Sequence, residues 1–249
     1  MRYESRRPHH SPNRVHGNLV HRILQLRRKH PSWGAMRIHA LLARRGVEVS
    51  WRTVHRILKR HGFMVRVVRG PLPFKRFPSR QVDSLWQADV DTFRIAGVRG
   101  HVYVHTILDD RSRYLVMARA YLRERAREAT NNLSWALKGG CSPKAIYVDN
   151  GSCFISKESR AYRATHGIRV IYGRPYHLRG RGKLERFQGT LTRELVGRVR
   201  FRSLAHFRRE LYEYRARYNR RRLHGGVGWK TPAEIDLDPK LMNKGRVNG

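Results

Sequence analysis

The sequence predicts an α/β protein: a mixed sheet flanked by helices, preceded by a small all-α helix-turn-helix domain. Three observations predict it. Residues 17–62 hold three short stretches with helical spacing of apolar residues and no strand signal. From residue 84 the pattern turns to strands, and then to strands alternating with helical stretches, the order that builds a sheet covered by helices. The chain has 249 residues, 40% of them hydrophobic, enough for one substantial α/β domain and a small second one. No internal repeat is visible.

Residues 1–16 are polar, rich in Arg, His and Pro, and read as a flexible basic arm. The helix-turn-helix domain is expected over 17–62. Its first helix runs from about Gly17 to Lys29, with Leu19, Val20, Ile23, Leu24 and Leu26 as the buried stripe. Its second runs from about Gly34 to Arg45, with Ile38, Leu41 and Leu42 inward and Gly46 placed to end it. Its third starts from Ser50 as N-cap and reaches about His61, with Val54, Ile57 and Leu58 inward and Gly62 beyond the end. The outer face of that third helix carries Arg52, Arg56, Lys59 and Arg60, so it is the expected DNA-reading element. The plainer alternative is a solvated basic face on a helical hairpin.

Residues 63–83, with Gly70, Pro71, Pro73 and Pro78 among basic residues, read as an extended linker. The core is expected over 84–236, followed by a tail over 237–249. Leu85–Ile95 is the first strand. His101–Leu108 and Tyr114–Tyr121 flank the turn signature Asp109-Asp110-Arg111-Ser112 and form a hairpin. A helix over 123–138, a short strand Ala145–Val148, a helix over 157–166 and a strand Ile168–Tyr172 follow. From about Gly182 to Val196 an amphipathic helix carries Leu184, Phe187, Leu191 and Leu195 on one face, and Gly197 stands at its end. The last helix spans about Ser203 to Tyr218.

Charge narrows the function class. The 54 Lys and Arg against 18 Asp and Glu give a formal net charge of +36. So basic a chain seeks a polyanion, and no apolar run is long enough to span a membrane. Nucleic acid is the expected partner, held largely through phosphate contacts; a ribosome-associated protein is basic for the same reason. With no signal peptide at the start, a cytoplasmic, nucleoid-associated location is expected. Cys141 and Cys153 make no disulfide framework, and no cysteine precedes them to form a zinc site with the early histidines.

Acidic residues are scarce enough to weigh singly. Asp89 sits inside the first strand among apolar neighbours, where a carboxylate is costly without a cation. Asp149 ends the strand Ala145–Val148. Glu185 is the only acidic residue between Ser159 and Arg193, near the start of the amphipathic helix. Each has an ordinary reading: a buried structural aspartate, an Asn-Gly turn, and a helix-surface partner of Arg181 or Arg186. Together, on strand, strand and helix, they suggest a shared site. Three converging carboxylates repel one another unless divalent cations offset them, and oxygen-only ligands suit Mg²⁺ or Mn²⁺. Two such ions clamp the attacking and leaving oxygens of a phosphodiester displacement. Lys183 and Arg186 beside Glu185 are candidate DNA contacts. Asp91 competes with Asp89, because residues two apart share a strand face.

At this point the residues resemble a known family. Trp86-Gln87-Ala88-Asp89-Val90 is similar to the first-strand motif of retroviral integrases and insertion-sequence transposases. Asp149-Asn150-Gly151, continued by Phe154-Ile155-Ser156, resembles their second acidic motif, and Gly182-Lys183-Leu184-Glu185-Arg186 their third. The 35 residues between Asp149 and Glu185 match the spacing of that family's acidic triad. Tyr218-Asn219, His224 and Thr231-Pro232-Ala233-Glu234 resemble the segment that closes the core, and Gly34–Ile38 with Val49–Val54 the helix-turn-helix. The tryptophan-glutamine spacing favours Asp89 over Asp91. Leu178 and Leu223 depart from the pattern where proline is common. The resemblance implies an RNase H-like fold and Asp89, Asp149 and Glu185 as catalytic, metal-binding residues. It also implies metal-dependent strand cleavage and transfer, and a homo-multimer on element ends and target DNA. The short N-terminus raises the expectation of an upstream reading-frame partner. A non-catalytic DNA-binding remnant and an RNase H-like nuclease are the alternatives.

Overall fold

The computed structural model describes residues 15–63, 79–173 and 182–241. Most of the expected arm and linker, the end of the tail, and His177 and Leu178 lie outside the described residues. The chain divides into two compact units, Met1–Val68 and Arg69–Gly249.

The first unit is three helices: α1 (Gly17–Lys29), α2 (Ala35–Ala43) and α3 (Trp51–Arg60). Ile23, Leu24, Leu26, Ile38, Leu42, Val54, Ile57 and Leu58 form its core. Both expected glycine stops are realised. Gly46 and Gly62 take φ +71° and +72°, a left-handed conformation that costs a residue with a Cβ. After each, the next N–H returns to the helix: Val47 N–H donates to Leu42 O at 3.0 Å, and Phe63 N–H to Leu58 O at 2.8 Å. Ser50 caps α3 by accepting from Thr53 N–H at 3.1 Å. One buried residue was not expected. Arg27 turns inward because its guanidinium donates to the backbone carbonyls of Trp33 and Phe63, whereas Leu19 and Val20 are only half-buried.

The second unit is built on a five-stranded sheet. Its elements are β1 (Leu85–Phe93), β2 (Val102–Asp109), β3 (Leu115–Tyr121), α4 (Ala126–Leu137), β4 (Ala145–Val148), α5 (Ser152–Ile155), α6 (Lys157–Thr165) and β5 (Arg169–Tyr172). Then come α7 (Gly182–Leu191), α8 (Leu204–Arg221) and α9 (Pro232–Asp236). The strand order is β3-β2-β1-β4-β5, with β1–β2 and β2–β3 antiparallel and β1–β4 and β4–β5 parallel. The sheet is buried on both faces. Val104, Leu108 and Leu115 pack with Leu184, Phe187 and Leu191 of α7 and Phe207 and Leu211 of α8. Trp86, Ala88, Ile107, Ile146 and Val148 pack with Ala129, Leu133 and Ala136 of α4 and with Phe154.

Two departures from the sequence expectation have physical causes. The amphipathic helix does not stay α-helical to Val196; α7 ends at Leu191 and Thr192–Val196 is one wider π turn. The hydroxyls of Thr190 and Thr192 donate to Arg186 O (2.8 Å) and Gln188 O (3.0 Å), taking carbonyls the backbone ladder otherwise uses. Gly197 N–H then closes the wide turn onto Thr192 O at 2.8 Å. The short α5 and α9 lack the length to show a helical period, although α9 begins with a full capping box between Thr231 and Glu234.

Candidate active site

Parallel pairing of β1 with β4 runs both strands towards the first two carboxylates. The register runs Leu85↔Ala145, Trp86↔Ile146, Gln87↔Tyr147. Two residues further along each chain stand Asp89 and Asp149, on neighbouring lines of the sheet. Asp149 follows the end of β4, where its Oδ1 accepts from Gly151 N–H at 2.8 Å. Gly151 fits closely here: a Cβ on it would meet Asp149 Oδ1 at 2.8 Å. Asn150 turns away and donates from Nδ2 to Gly173 O at 3.1 Å.

Helix α7 supplies the third part. It packs on β1, and Gln188 Nε2 donates to Asp89 Oδ2 at 2.9 Å. The other Asp89 oxygen accepts from Val90 N–H at 2.9 Å. Glu185 lies one turn before Gln188 on the same helix and is exposed. Asp89 and Asp149 are both half-buried. Among the described residues no three His, Cys, Asp or Glu side chains are gathered closely enough to hold a metal ion.

Two carboxylates crowd one face of β1. Asp91 shares the β1 face with Asp89, and its Oδ2 is buried with no hydrogen-bond partner. Burial first, and then the Asp89 charge, push the Asp91 carboxyl up to about 7. Negative charge is thus crowded on this face, and the ligands at hand are carboxylate oxygens, the set that hard divalent cations prefer.

The expected DNA contacts separate into two groups. Arg52, Arg56, Lys59 and Arg60 are all exposed on α3, joined by an exposed Trp51 that the charge pattern did not single out. Arg186 is exposed on α7. Lys183 is not free for phosphate. Its Nζ donates to Asp110 Oδ1 at 2.5 Å and to Asp110 O at 3.3 Å, with side-chain exposures of 10% and 4% for the pair. Asp110 was expected only to shape the hairpin turn. Here it also accepts from Gln87 Nε2 (2.7 Å) and Ser79 N–H (2.7 Å), which explains why a turn carboxylate is buried. Its neighbour Asp109 does hold the turn, accepting from the N–H and hydroxyl of Ser112 and from Arg111 N–H.

The segment expected to close the core also takes a defined place. Asn219 donates from Nδ2 to Leu115 O (3.0 Å) and accepts from Leu115 N–H (2.8 Å), binding α8 to β3 where the β2–β3 register shifts. His224 accepts from Gly226 N–H at 3.2 Å, a structural role. Leu223, where proline is common, is buried.

Comparison with known proteins identifies the architecture. Residues 79–177 and 166–232 each match a family described as Integrase core domain, and residues 1–58 match one described as Homeodomain-like domain. Together the two matches span residues 79–232, and the chain belongs to the integrase-core family. The chain is 26% identical over 229 residues to the insertion element IS476 uncharacterized 39.2 kDa protein of Xanthomonas euvesicatoria. The match covers 87% of this chain and 64% of that protein, so the chain spans less than two thirds of this relative. It is 23% identical over 236 residues to the insertion element IS407 uncharacterized 31.7 kDa protein of Burkholderia multivorans, covering 90% and 82%. Among solved structures, the simian T-cell lymphotropic virus intasome in complex with PP2A regulatory subunit B56 gamma aligns with TM-score 0.58 and 19% identity, over 89% of this chain and 76% of that one. The HTLV-2 integrase catalytic core domain in complex with magnesium aligns with TM-score 0.50 and 20% identity, over 68% and 99%. These likenesses establish the fold: an RNase H-like mixed sheet flanked by helices, with a helix-turn-helix region before it.

Proposed function

We propose that this transposase cleaves and joins DNA strands in a metal-dependent reaction, with Asp89, Asp149 and Glu185 as the ligands of two Mg²⁺ or Mn²⁺ ions. The observation that carries the reading is the parallel β1–β4 register, whose last pair, Gln87↔Tyr147, stands two residues before Asp89 and Asp149, with the Glu185 helix bonded across to Asp89 through Gln188. The magnesium in the HTLV-2 integrase structure accords with it. When bound, the ions supply activation of the attacking oxygen and charge neutralisation at the leaving one. The protein's part is positional. Asp89 is held at both oxygens by Val90 and Gln188, and Asp149 is held by Gly151. Asp89 offers its carboxylate from the sheet, while Glu185 joins from α7. The exposed cations Arg52, Arg56, Lys59 and Arg60 hold duplex DNA through α3, and Arg186 holds the strand near the carboxylates. The working form is a homo-multimer on element ends and target DNA.

The test is a strand-transfer assay with a pre-cut element end, a target plasmid and Mg²⁺ or Mn²⁺. Wild type yields joined product, and Glu185→Gln loses it by at least about a hundredfold, the scale of losing an interaction made in the transition state. Cleavage without joining by wild type would make the chain a nuclease, and DNA binding as its sole activity would make it a non-catalytic remnant.

A further inference from the structure

We propose that Lys183 and Gln188 are positioning residues that bracket Glu185 and set the register of α7 on β1, so that Glu185 faces Asp89 and Asp149; this rests on the metal-site reading above. The two tie points end on the same strand. Lys183 reaches β1 through Asp110, whose Oδ1 accepts from both Lys183 Nζ and Gln87 Nε2. Gln188 reaches β1 directly at Asp89. Gln87 and Asp89 are two residues apart and share a face.

The spacings agree. Five residues of α-helix, from Lys183 to Gln188, advance ~7.5 Å at 1.5 Å each. Two residues of strand, from Gln87 to Asp89, advance ~6.8 Å. The rises along helix and strand are thus alike, and Glu185 lies between the two tie points in sequence. A slip of one residue would break both contacts at once. The Lys183–Asp110 pair is shielded from water, where an ion pair adds little net stability but penalises every alternative register that separates its charges. The Gln188 contact acts on the ligand itself, fixing the orientation of the Asp89 carboxylate as an outer partner fixes a metal ligand.

The experiment measures Mn²⁺ binding to the 249-residue chain by electron paramagnetic resonance of the free ion, with thermal unfolding recorded on the same samples. Gln188→Met and Lys183→Met keep side-chain length and remove the donors; Lys183→Arg restores a cation. The expected result is folded Met variants that bind Mn²⁺ about tenfold more weakly, the usual loss when an outer partner of a ligand is removed. Their Mn²⁺ requirement in strand transfer rises by a similar factor, more than kcat falls, and Lys183→Arg recovers most of the binding. Gln188→Met decides the matter if Lys183→Met does not fold. Folded Met variants with wild-type Mn²⁺ affinity, while Asp89→Asn and Glu185→Gln lose it, overturn the clamp alone. Wild type with no Mn²⁺ binding, or carboxylate variants that bind as wild type does, overturn the metal site and the clamp with it.

Discussion

Residues in this molecule are explained by what they touch across long stretches of chain. Asp89 and Asp91 were indistinguishable by periodicity. In the folded protein Asp89 is held by a glutamine 99 residues away, while Asp91 keeps an unpartnered buried oxygen. No local pattern carries that difference. His105 is a second case. It is buried, its ring meets Tyr121 edge-on at 5.2 Å, and neither ring nitrogen has a partner. Burial lowers its pKa from 6.5 to about 4. In the unfolded chain the imidazole takes a proton as pH falls below 6.5, whereas the folded form resists until about 4. The unfolded state thus binds more protons across that window, and stability declines from pH 6.5 towards 4, by at most about 3 kcal/mol from this group. Urea unfolding at pH 7.0 and 4.5 measures it. The midpoint gap between the two conditions should shrink in His105→Leu, and an unchanged gap would mean that His105 does not contribute.

At the scale of elements, the strands and most helices were legible because apolar alternation and helical spacing are local properties. Ala145–Val148 was bounded as observed, since a short apolar run ended by Asp-Asn-Gly leaves little choice. The π turn after α7 was not legible, because it depends on which carbonyls two threonine hydroxyls capture. Nor was the burial of Asp110, whose partner Lys183 is 73 residues away. Asn219 shows how such a contact joins elements. Its amide completes both backbone groups of Leu115, doing for β3 what a neighbouring strand would do. Asn219→Leu leaves a buried N–H and C=O unmatched and should destabilise the protein by roughly 2–4 kcal/mol. Thermal unfolding of the variant checks this, and a melting temperature within a degree of wild type would show that α8 does not depend on that amide.

For the whole molecule, a charge of +36 on 249 residues makes ionic strength the controlling variable. If six or more phosphates are contacted, affinity for a random-sequence duplex should fall by about a thousandfold or more between 50 and 200 mM salt. Fluorescence anisotropy across that range reads the slope directly, and a flat response would show that the excess cations do not face DNA. Removing Arg52, Arg56, Lys59 and Arg60 together should flatten the slope, since each phosphate contact contributes close to one unit.

The strand order has a consequence for how the fold comes into being. Asp89 is synthesised early, but its neighbour on the sheet arrives only after β2, β3 and α4 have been made, because a parallel partner for β1 requires that long return of the chain. Closing such a loop is slow and entropically costly until the intervening hairpin has formed. A chain that stops short of β4 therefore holds Asp89 without the strand whose end carries Asp149. The two strands join only once more than half of the chain has left the ribosome.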